Sequence, residues 1–219
     1  IENGEFEEEL KIPSEQELCD TYDISRPTVR QAINELTNSG ILYKKKGKGT
    51  FVAKAKSTID VENFTGFTDS ILDSMNPGER NILSIEEISG EVKKVEEVFG
   101  KKAAFAEIRH LTTRKDDILA LNISYVPLKL FPDIIEAVQE NKPSYDIMKG
   151  RYPLLPVKTK SSLEIVFTDQ KDAQHLQIQT GQPLIKIESI LYSKSGQAVE
   201  YVISKYRSDN CMLIFENVK

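Results

Sequence analysis

SRPTVRQAINELTNSGILYKKKGKGTFV, residues 25–52, runs from a helix start through a glycine stop into two short strands. Ser25 is a candidate N-cap, and Pro27 is tolerated in the first helical turn. Val29, Ala32, Ile33 and Leu36 recur at helical spacing and form one apolar face. Asn38-Ser39-Gly40 stops the helix, Gly40 supplying the left-handed residue past its end. Ile41-Leu42-Tyr43 and Thr50-Phe51-Val52 then flank Lys46-Gly47-Lys48-Gly49, a hairpin turn. Upstream, Ser14 and Glu17 have the spacing of a capping box for another helix. Leu18 and Tyr22, one turn apart, are its expected inward residues, and Asp23-Ile24 is the turn between the helices.

Helix, tight turn, helix, hairpin is the order of a winged helix-turn-helix. The apolar face of the second helix leaves Arg26, Thr28, Arg30, Gln31 and Asn34 on its other sides. Arginine suits guanine or phosphate, glutamine and asparagine suit adenine, and threonine suits a phosphate or a methyl. Lys44, Lys45, Lys46 and Lys48 crowd the hairpin with no acid among them, although the chain carries a net charge of −5. A lysine run by itself is most often a solvated turn. Beside this helix it supplies positive charge along a DNA backbone, each neutralised phosphate adding counterion release. Gly47 and Gly49 let the tip turn tightly and approach a groove. Gln31 and Asn34 are equally compatible with plain exposed polar positions.

The 219 residues are 29% charged and 39% hydrophobic, the make-up of a soluble globular chain with one large domain or two modest ones. No apolar run approaches the roughly 20 residues that span a bilayer. No basic segment precedes an apolar one, so no signal peptide is expected. Cys19 and Cys211 lack a CxxC spacing, and His110 and His175 form no ligand cluster. Neither disulfide, metal site nor cofactor is expected, and the compartment is read as cytoplasmic.

After a polar linker, Lys54 to Val61, the pattern changes. Phe67 to Leu72 is a candidate short helix, Leu83 to Ile88 a strand, and Val92 to Phe99 a helix. Ala104 to Arg114 and Ile118 to Val126 read as strand, turn, strand. Ser161 to Phe167 is another strand, followed by a helix around Asp172 to Leu176. Leu184 to Tyr192, Ala198 to Ser204 and Cys211 to Phe215 complete the set. Hairpin-joined strands with intervening helices give an α+β domain built on an antiparallel sheet.

KIPSEQELCDTYDISRPTVRQAINELTNSGILYKKKGKGTFV resembles the DNA-binding domain of GntR-family bacterial transcriptional regulators, in its Pro-Ser-Glu helix, its Ser-Arg-x-Thr-Val-Arg recognition helix and its Gly-x-Gly-Thr-Phe wing. The resemblance implies that Ser14 and Glu15 lie near phosphate and that Ser25, Arg26, Thr28, Arg30 and Gln31 serve the recognition helix. Lys46, Lys48, Gly49 and Thr50 would enter the groove. It also implies a further helix at the start, of which Ile1 to Gly4 resembles the tail. The second half is similar to the effector-binding (UTRA) domain of the HutC subfamily, with a chorismate-lyase-like fold, through FAEIRHLTTRKDDILALNISYVP, SYDIM and GQPLIKIESILYSKSGQAVEYVISKYRSD.

Relatives in that subfamily sense sugar phosphates, other sugars, histidine-pathway metabolites or fatty acids. In the sugar-phosphate sensors an Arg-x-Arg pair on a central strand holds the phosphate. Arg109 is matched to the first of the pair and Leu111 replaces the second. Asn122 stands where the family has a glutamate, and Tyr145 is kept from a Ser-x-Tyr element. Glu200 and Tyr206 match positions that meet the sugar ring, and Phe67-Thr68 matches a helix start able to cradle an anion. Each has a plain alternative. Arg109 could pair with Glu107 or another acid, Glu200 could be an exposed strand residue, and Tyr145, Tyr201 and Tyr206 could be core or rim aromatics. Arg207 and Asp209 read as a structural turn.

The expected layout is a winged helix-turn-helix over 1–54, a linker over 55–63, and an effector-binding and dimerisation domain over 64–219. The function read from it is a regulator, a repressor by family expectation. It would bind double-stranded operator DNA as a homodimer, respond to a small polar metabolite (a sugar or sugar phosphate favoured) and involve no membrane. Two alternatives are an enzyme of chorismate-lyase-like fold and a sequence-independent DNA-binding protein. The first lacks a nucleophile–base pair or paired acids; the second fits poorly with the acidic body.

Overall fold

The computed structural model describes residues 9–45, 47–53, 56–60, 79–89, 92–100, 103–114, 117–140, 150 and 152–214. The expectations at Ile1 to Gly4, Lys46, Phe67 to Leu72 and Tyr145 lie outside the described residues. The chain divides into two units, Ile1–Ser57 and Thr58–Lys219.

In the first unit, helix α1 spans Glu15–Tyr22 and begins in a complete capping box. Ser14 N–H donates to Glu17 Oε2 at 2.7 Å, and Glu17 N–H donates to Ser14 Oγ at 3.3 Å. The helix ends at Asp23, whose φ of 51° turns the chain away. Its last residue therefore leaves the contact: Tyr22 is exposed, and Cys19 joins Leu18 in packing instead. Helix α2 spans Arg26–Asn38. Ser25 occupies its N-cap position without capping the backbone, because its hydroxyl is shared with Thr28 Oγ1 at 2.8 Å. Val29 and Ile33 are buried and Leu36 half-buried, whereas Ala32 is exposed. The stripe is thus narrower than the sequence pattern implies.

Strands β1 (Leu42–Lys45) and β2 (Gly49–Val52) form the hairpin, in register Leu42↔Val52 to Lys45↔Gly49. A third stretch lies along β2, with Ile12 N–H donating to Thr50 O at 3.0 Å and Val52 N–H to Leu10 O at 2.9 Å. Gly49 has φ +126°, and a Cβ there would come within 2.6 Å of Lys11 Cε. The positive φ is what requires glycine there, since the flexible end of Lys11 can move aside. Ile12, Val29, Ile33, Leu42 and Val52 make the core of this unit.

Strand β3 (Ser57–Asp60) falls where a linker was expected and pairs with β10 (Cys211–Ile214). A polar composition does not prevent a strand whose backbone finds a partner. The remaining strands are β4 (Glu79–Ser89), β5 (Ala104–Arg114), β6 (Asp117–Pro127), β7 (Pro156–Phe167), β8 (Pro183–Ser193) and β9 (Ala198–Arg207). They form one antiparallel sheet in the order β4-β5-β6-β9-β8-β7. Helices α3 (Lys93–Phe99) and α5 (Gln170–Leu176) cover one face. Val95 packs with Phe105, Tyr125 and Tyr201, and Leu176 with Leu111, Leu121 and Leu184. Helix α4 (Ile134–Gln139) lies on the other, with Ile134 and Ala137 against Ala106, Ile108, Val126 and Val202. It is six residues long, too short to leave a helical period in the sequence. Cys19 and Cys211 are both free thiols.

Phe131, 1% exposed, ties α4 to the sheet. Phe131→Ala is expected to cost about 3–5 kcal/mol. The measurement is the denaturant midpoint of the C-terminal unit's unfolding; an unchanged midpoint would contradict this packing.

Candidate functional site

The outer side of α2 is an open groove lined by Arg26, Pro27, Arg30, Gln31, Asn34, Glu35 and Asn38. Its long polar side chains are held in place from neighbouring elements. Arg26 donates to Gln16 Oε1, with Nε at 3.1 Å, and Gln16 Nε2 donates in turn to Asp20 at 2.7 Å. Arg30 reaches Glu15 Oε2 from Nη2 at 3.0 Å and from Nε at 3.3 Å. That hydrogen bond holds the Glu15 carboxyl below the usual carboxylate range. Both groups are open to water, so the pair adds orientation more than stability.

From the wing, Lys44 Nζ donates to Asn34 Oδ1 at 2.8 Å. Lys45 Nζ stands 5.1 Å from the ring centroids of both Tyr43 and Phe51. Gly47, Lys48 and Gly49 are exposed at the tip, and Thr50 is half-buried. The structure thus brings Glu15, Arg26 and Arg30 together, and Ser25 with Thr28. Gln31 is turned along its own helix, Nε2 donating to Glu35 Oε1 at 3.0 Å. Ser14 is engaged in its cap.

In the second unit the effector candidates do not share one face. Asn122, Glu200 and Tyr206 stand on the α4 face, whereas Arg109 stands on the opposite one. There Arg109 Nε donates to Glu107 Oε1 at 2.7 Å, which is the structural pairing the sequence left open. Tyr125 hydrogen-bonds Glu107, and burial together with that negative charge pushes its phenol up to about 12. Tyr125 and Tyr201 stack at 5.8 Å, Tyr201 bonds Glu188, and Lys186 joins Glu188 to Glu164. Burial disfavours the Glu188 carboxylate, but Lys186 and Tyr201 outweigh it and hold the group below its ordinary value. Arg207 and Asp209 make the expected turn pair at 2.7 Å.

The α4 face carries a buried polar cluster in which His110, Thr112, Ser124, Ser189 and Ser204 join the sequence candidates Asn122, Glu200 and Tyr206. His110 lies opposite Asn122 across the β5–β6 pair, and Asn122 opposite Ser204 on β9. Asn122 Nδ2 donates to Thr112 Oγ1 at 2.9 Å, and Ser204 Oγ donates to Asn122 Oδ1 at 2.5 Å. Ser161 and Ser189 share a hydrogen bond at 2.7 Å. Glu200, Ser124, Ser189 and Ser204 are each 0% exposed. Burial pushes the Tyr206 phenol up, against a hydrogen bond with Ser204. Ser124 Oγ has no hydrogen-bond partner among the described residues.

His110 and Thr112, rather than Arg109 and Leu111, share the face of Asn122, because neighbouring residues of a strand point to opposite faces. The signal that could have found the cluster is polar residues at every second position of otherwise apolar strands. It is present in His110-x-Thr112, Asn122-x-Ser124 and Ser204-x-Tyr206. No arginine or lysine is buried among the described residues. The same residues hold no group of three or more His, Cys, Asp or Glu able to bind a metal, and no helix long and apolar enough to cross a membrane.

Residues 1–52 match the family of bacterial regulatory proteins of the gntR type, and residues 79–211 match the UTRA domain. The chain is 33% identical over 216 residues to the HTH-type transcriptional repressor NagR of Bacillus subtilis (strain 168), covering 95% of this chain and 86% of that protein. It is 27% identical over 219 residues to a probable fructoselysine utilization operon transcriptional repressor of Escherichia coli O157:H7, covering 99% and 89%. Its fold is like that of PhnF from Mycobacterium smegmatis, with a TM-score of 0.65 at 19% identity over 98% of this chain and 94% of that one.

Proposed function

The chain belongs to the GntR family of regulators and carries its UTRA domain, and from that premise we propose a homodimeric repressor of a sugar-linked operon, relieved by an uncharged polyhydroxyl effector. It is a DNA-binding transcriptional regulator, not an enzyme. The finer reading concerns what it contacts and what it senses, in the cytoplasm where its operator lies.

On the DNA side, Arg26 and Arg30 face the major groove, and Lys48, Gly49 and Thr50 follow the adjacent backbone. Glu15 does not approach phosphate itself, since a carboxylate there would be repelled. It acts through Arg30, whose guanidinium it already holds. Two recognition helices from a two-fold dimer would read a symmetric operator.

On the effector side, one observation carries the reading. The buried polar cluster around Asn122, Ser204, Ser124, Glu200 and Tyr206 is made of hydroxyl, amide and carboxyl groups, and the arginine matched to a phosphate contact lies on the other face. Such groups suit sugar hydroxyls, and the fructoselysine repressor among the relatives is consistent with a sugar derivative. A metabolite bound there can alter operator affinity only by its differential affinity for two states of the protein.

Arg30→Ala is expected to cost about 1–3 kcal/mol on operator DNA, with the loss confined to matched sequence. Lys48→Ala should weaken all duplexes alike and lower the salt slope by about one unit. Titrations of operator and random duplex at several salt concentrations check both; unchanged binding by the two variants would remove this account of helix and wing.

For the effector, thermal shifts are measured with sugars paired with their phosphates. The unphosphorylated member should raise Tm by roughly 5–10 °C at a hundredfold excess over Kd. The shift should persist in Arg109→Ala and disappear in Glu200→Gln. A response to the phosphate alone, lost in Arg109→Ala, would overturn the uncharged-ligand reading.

A further inference from the structure

The stretch ahead of α1 adds a third member to the wing sheet. Glu9 N–H donates to Val52 O at 3.0 Å, and Lys11 pairs with Phe51 of β2. Residues directly opposite in an antiparallel sheet share a face, so Lys11, Phe51 and Tyr43 stand in one row. Ile12, Leu42 and Val52 point the other way, into the core with Val29 and Ile33 of α2. Lys44 shares that inner side and reaches Asn34 of α2. The outer face of the wing is therefore turned away from the recognition helix. It carries Lys11 and Lys45 around the Tyr43–Phe51 ring pair, whose centroids are 5.7 Å apart.

The cations of this unit fall into two groups. Arg26, Arg30 and Lys44 donate to Gln16, Glu15 and Asn34, and Lys45 rests over two rings. Lys11 and Lys48 are exposed and make no hydrogen bond or ion pair among the described residues. The Glu17 carboxyl is held below its ordinary value first by the Ser14 N–H and only last by the Lys11 charge, so that acid is committed to its cap. Lys11 Nζ lies 3.4 Å from where a Cβ of Gly49 would stand, beside Lys48 at the tip.

We propose that Lys11, outside both the recognition helix and the hairpin, is a further DNA contact, meeting a phosphate on the outer side of the wing while Lys48 meets one at its tip. The inference rests on the wing's approach to DNA proposed above. A hairpin that follows one backbone beside the minor groove has the other strand about 6 Å across from it, so both of its faces meet phosphate. Lys44 serves the side of α2. The outer side needs a cation of its own, and Lys11 holds its ammonium uncommitted there. Strand pairing fixes its backbone, whereas its stem lies over a glycine and can swing onto a phosphate without displacing a side chain. Lysine acts on phosphate as a point charge, so this contact adds affinity and carries no base preference.

Titrations of the full chain with a random-sequence duplex over a range of salt concentrations test this, since a phosphate contact needs no operator. Lys11→Gln, folded by circular dichroism, should bind severalfold more weakly and lower the salt slope by about 0.9 for each protomer engaged, the value for one phosphate. Lys11→Arg should keep the wild-type slope. Lys11→Gln combined with Lys48→Ala should lower it about twice as far as either change alone. A wild-type slope in Lys11→Gln, with Lys48→Ala still lowering it, would overturn the Lys11 contact and leave the wing reading intact. Weaker binding at an unchanged slope would assign Lys11 to the fold of the wing sheet and likewise overturn the contact. Wild-type slopes in both single variants would overturn the wing reading itself, and the Lys11 contact with it.

Discussion

Side chains on a β-strand alternate between two faces, and in the C-terminal unit that alternation decides which groups can meet. β5 sends Glu107 and Arg109 one way and His110 and Thr112 the other. The first pair joins Tyr125, Tyr201, Glu188 and Lys186 in a charged strip flanked by α3 and α5. The second joins Asn122 and Ser204 in an uncharged hydrogen-bonded chain on the α4 face. No side-chain rotation carries Arg109 through the sheet. The Glu107–Arg109 pair is therefore separated by the backbone itself from the amide, the hydroxyls and Glu200 of the other face.

A similar economy governs the N-terminal unit. Arginine carries about 2 kcal/mol of rotamer entropy that a contact must overcome. Arg26 and Arg30 are already anchored by Gln16 and Glu15 from α1, so part of that ordering is complete within the folded unit. Lys44 likewise links the wing to Asn34 of the recognition helix. The first helix thus buries little surface yet fixes the direction of the second helix's side chains. Its capping box matters because the positions of Glu15 and Gln16 depend on where the helix starts.

The winged motif was legible because its signals are local. A capping box, a proline in the first turn, a glycine with positive φ and a glycine-rich tip each act within a few residues. What failed there was finer. Tyr22 and Ala32 lie on the expected stripe but outside a contact that is only one helix wide. In the C-terminal unit the strands were legible from alternation and turn residues, and their order in the sheet was not, since pairing joins residues distant in sequence. β3 escaped notice because its partner, β10, lies far along the chain. α4 escaped because six residues hold less than two helical turns. That Arg109 stands on the face opposite Asn122 was not legible for a different reason: it depends on the register between β5 and β6, which the pairing of the strands fixes.

The polar groups of the α4 face are not explained by stability. Ser124, Ser189 and Ser204 are fully buried in the middle of a sheet that packs Ile108, Val126 and Val202 on the same side. Alanine would fit such positions without desolvating a hydroxyl. An unsatisfied buried hydroxyl costs about 1–3 kcal/mol, and Ser124 Oγ finds no partner among the described residues. A charge strip such as the one on the other face orders itself by pairing. The serine-rich face is ordered only in part, with Asn122, Thr112 and Ser204 satisfied and Ser124 left over. In the function proposed above, these hydroxyl and amide groups, Ser124 among them, would exchange hydrogen bonds with the effector's own hydroxyls.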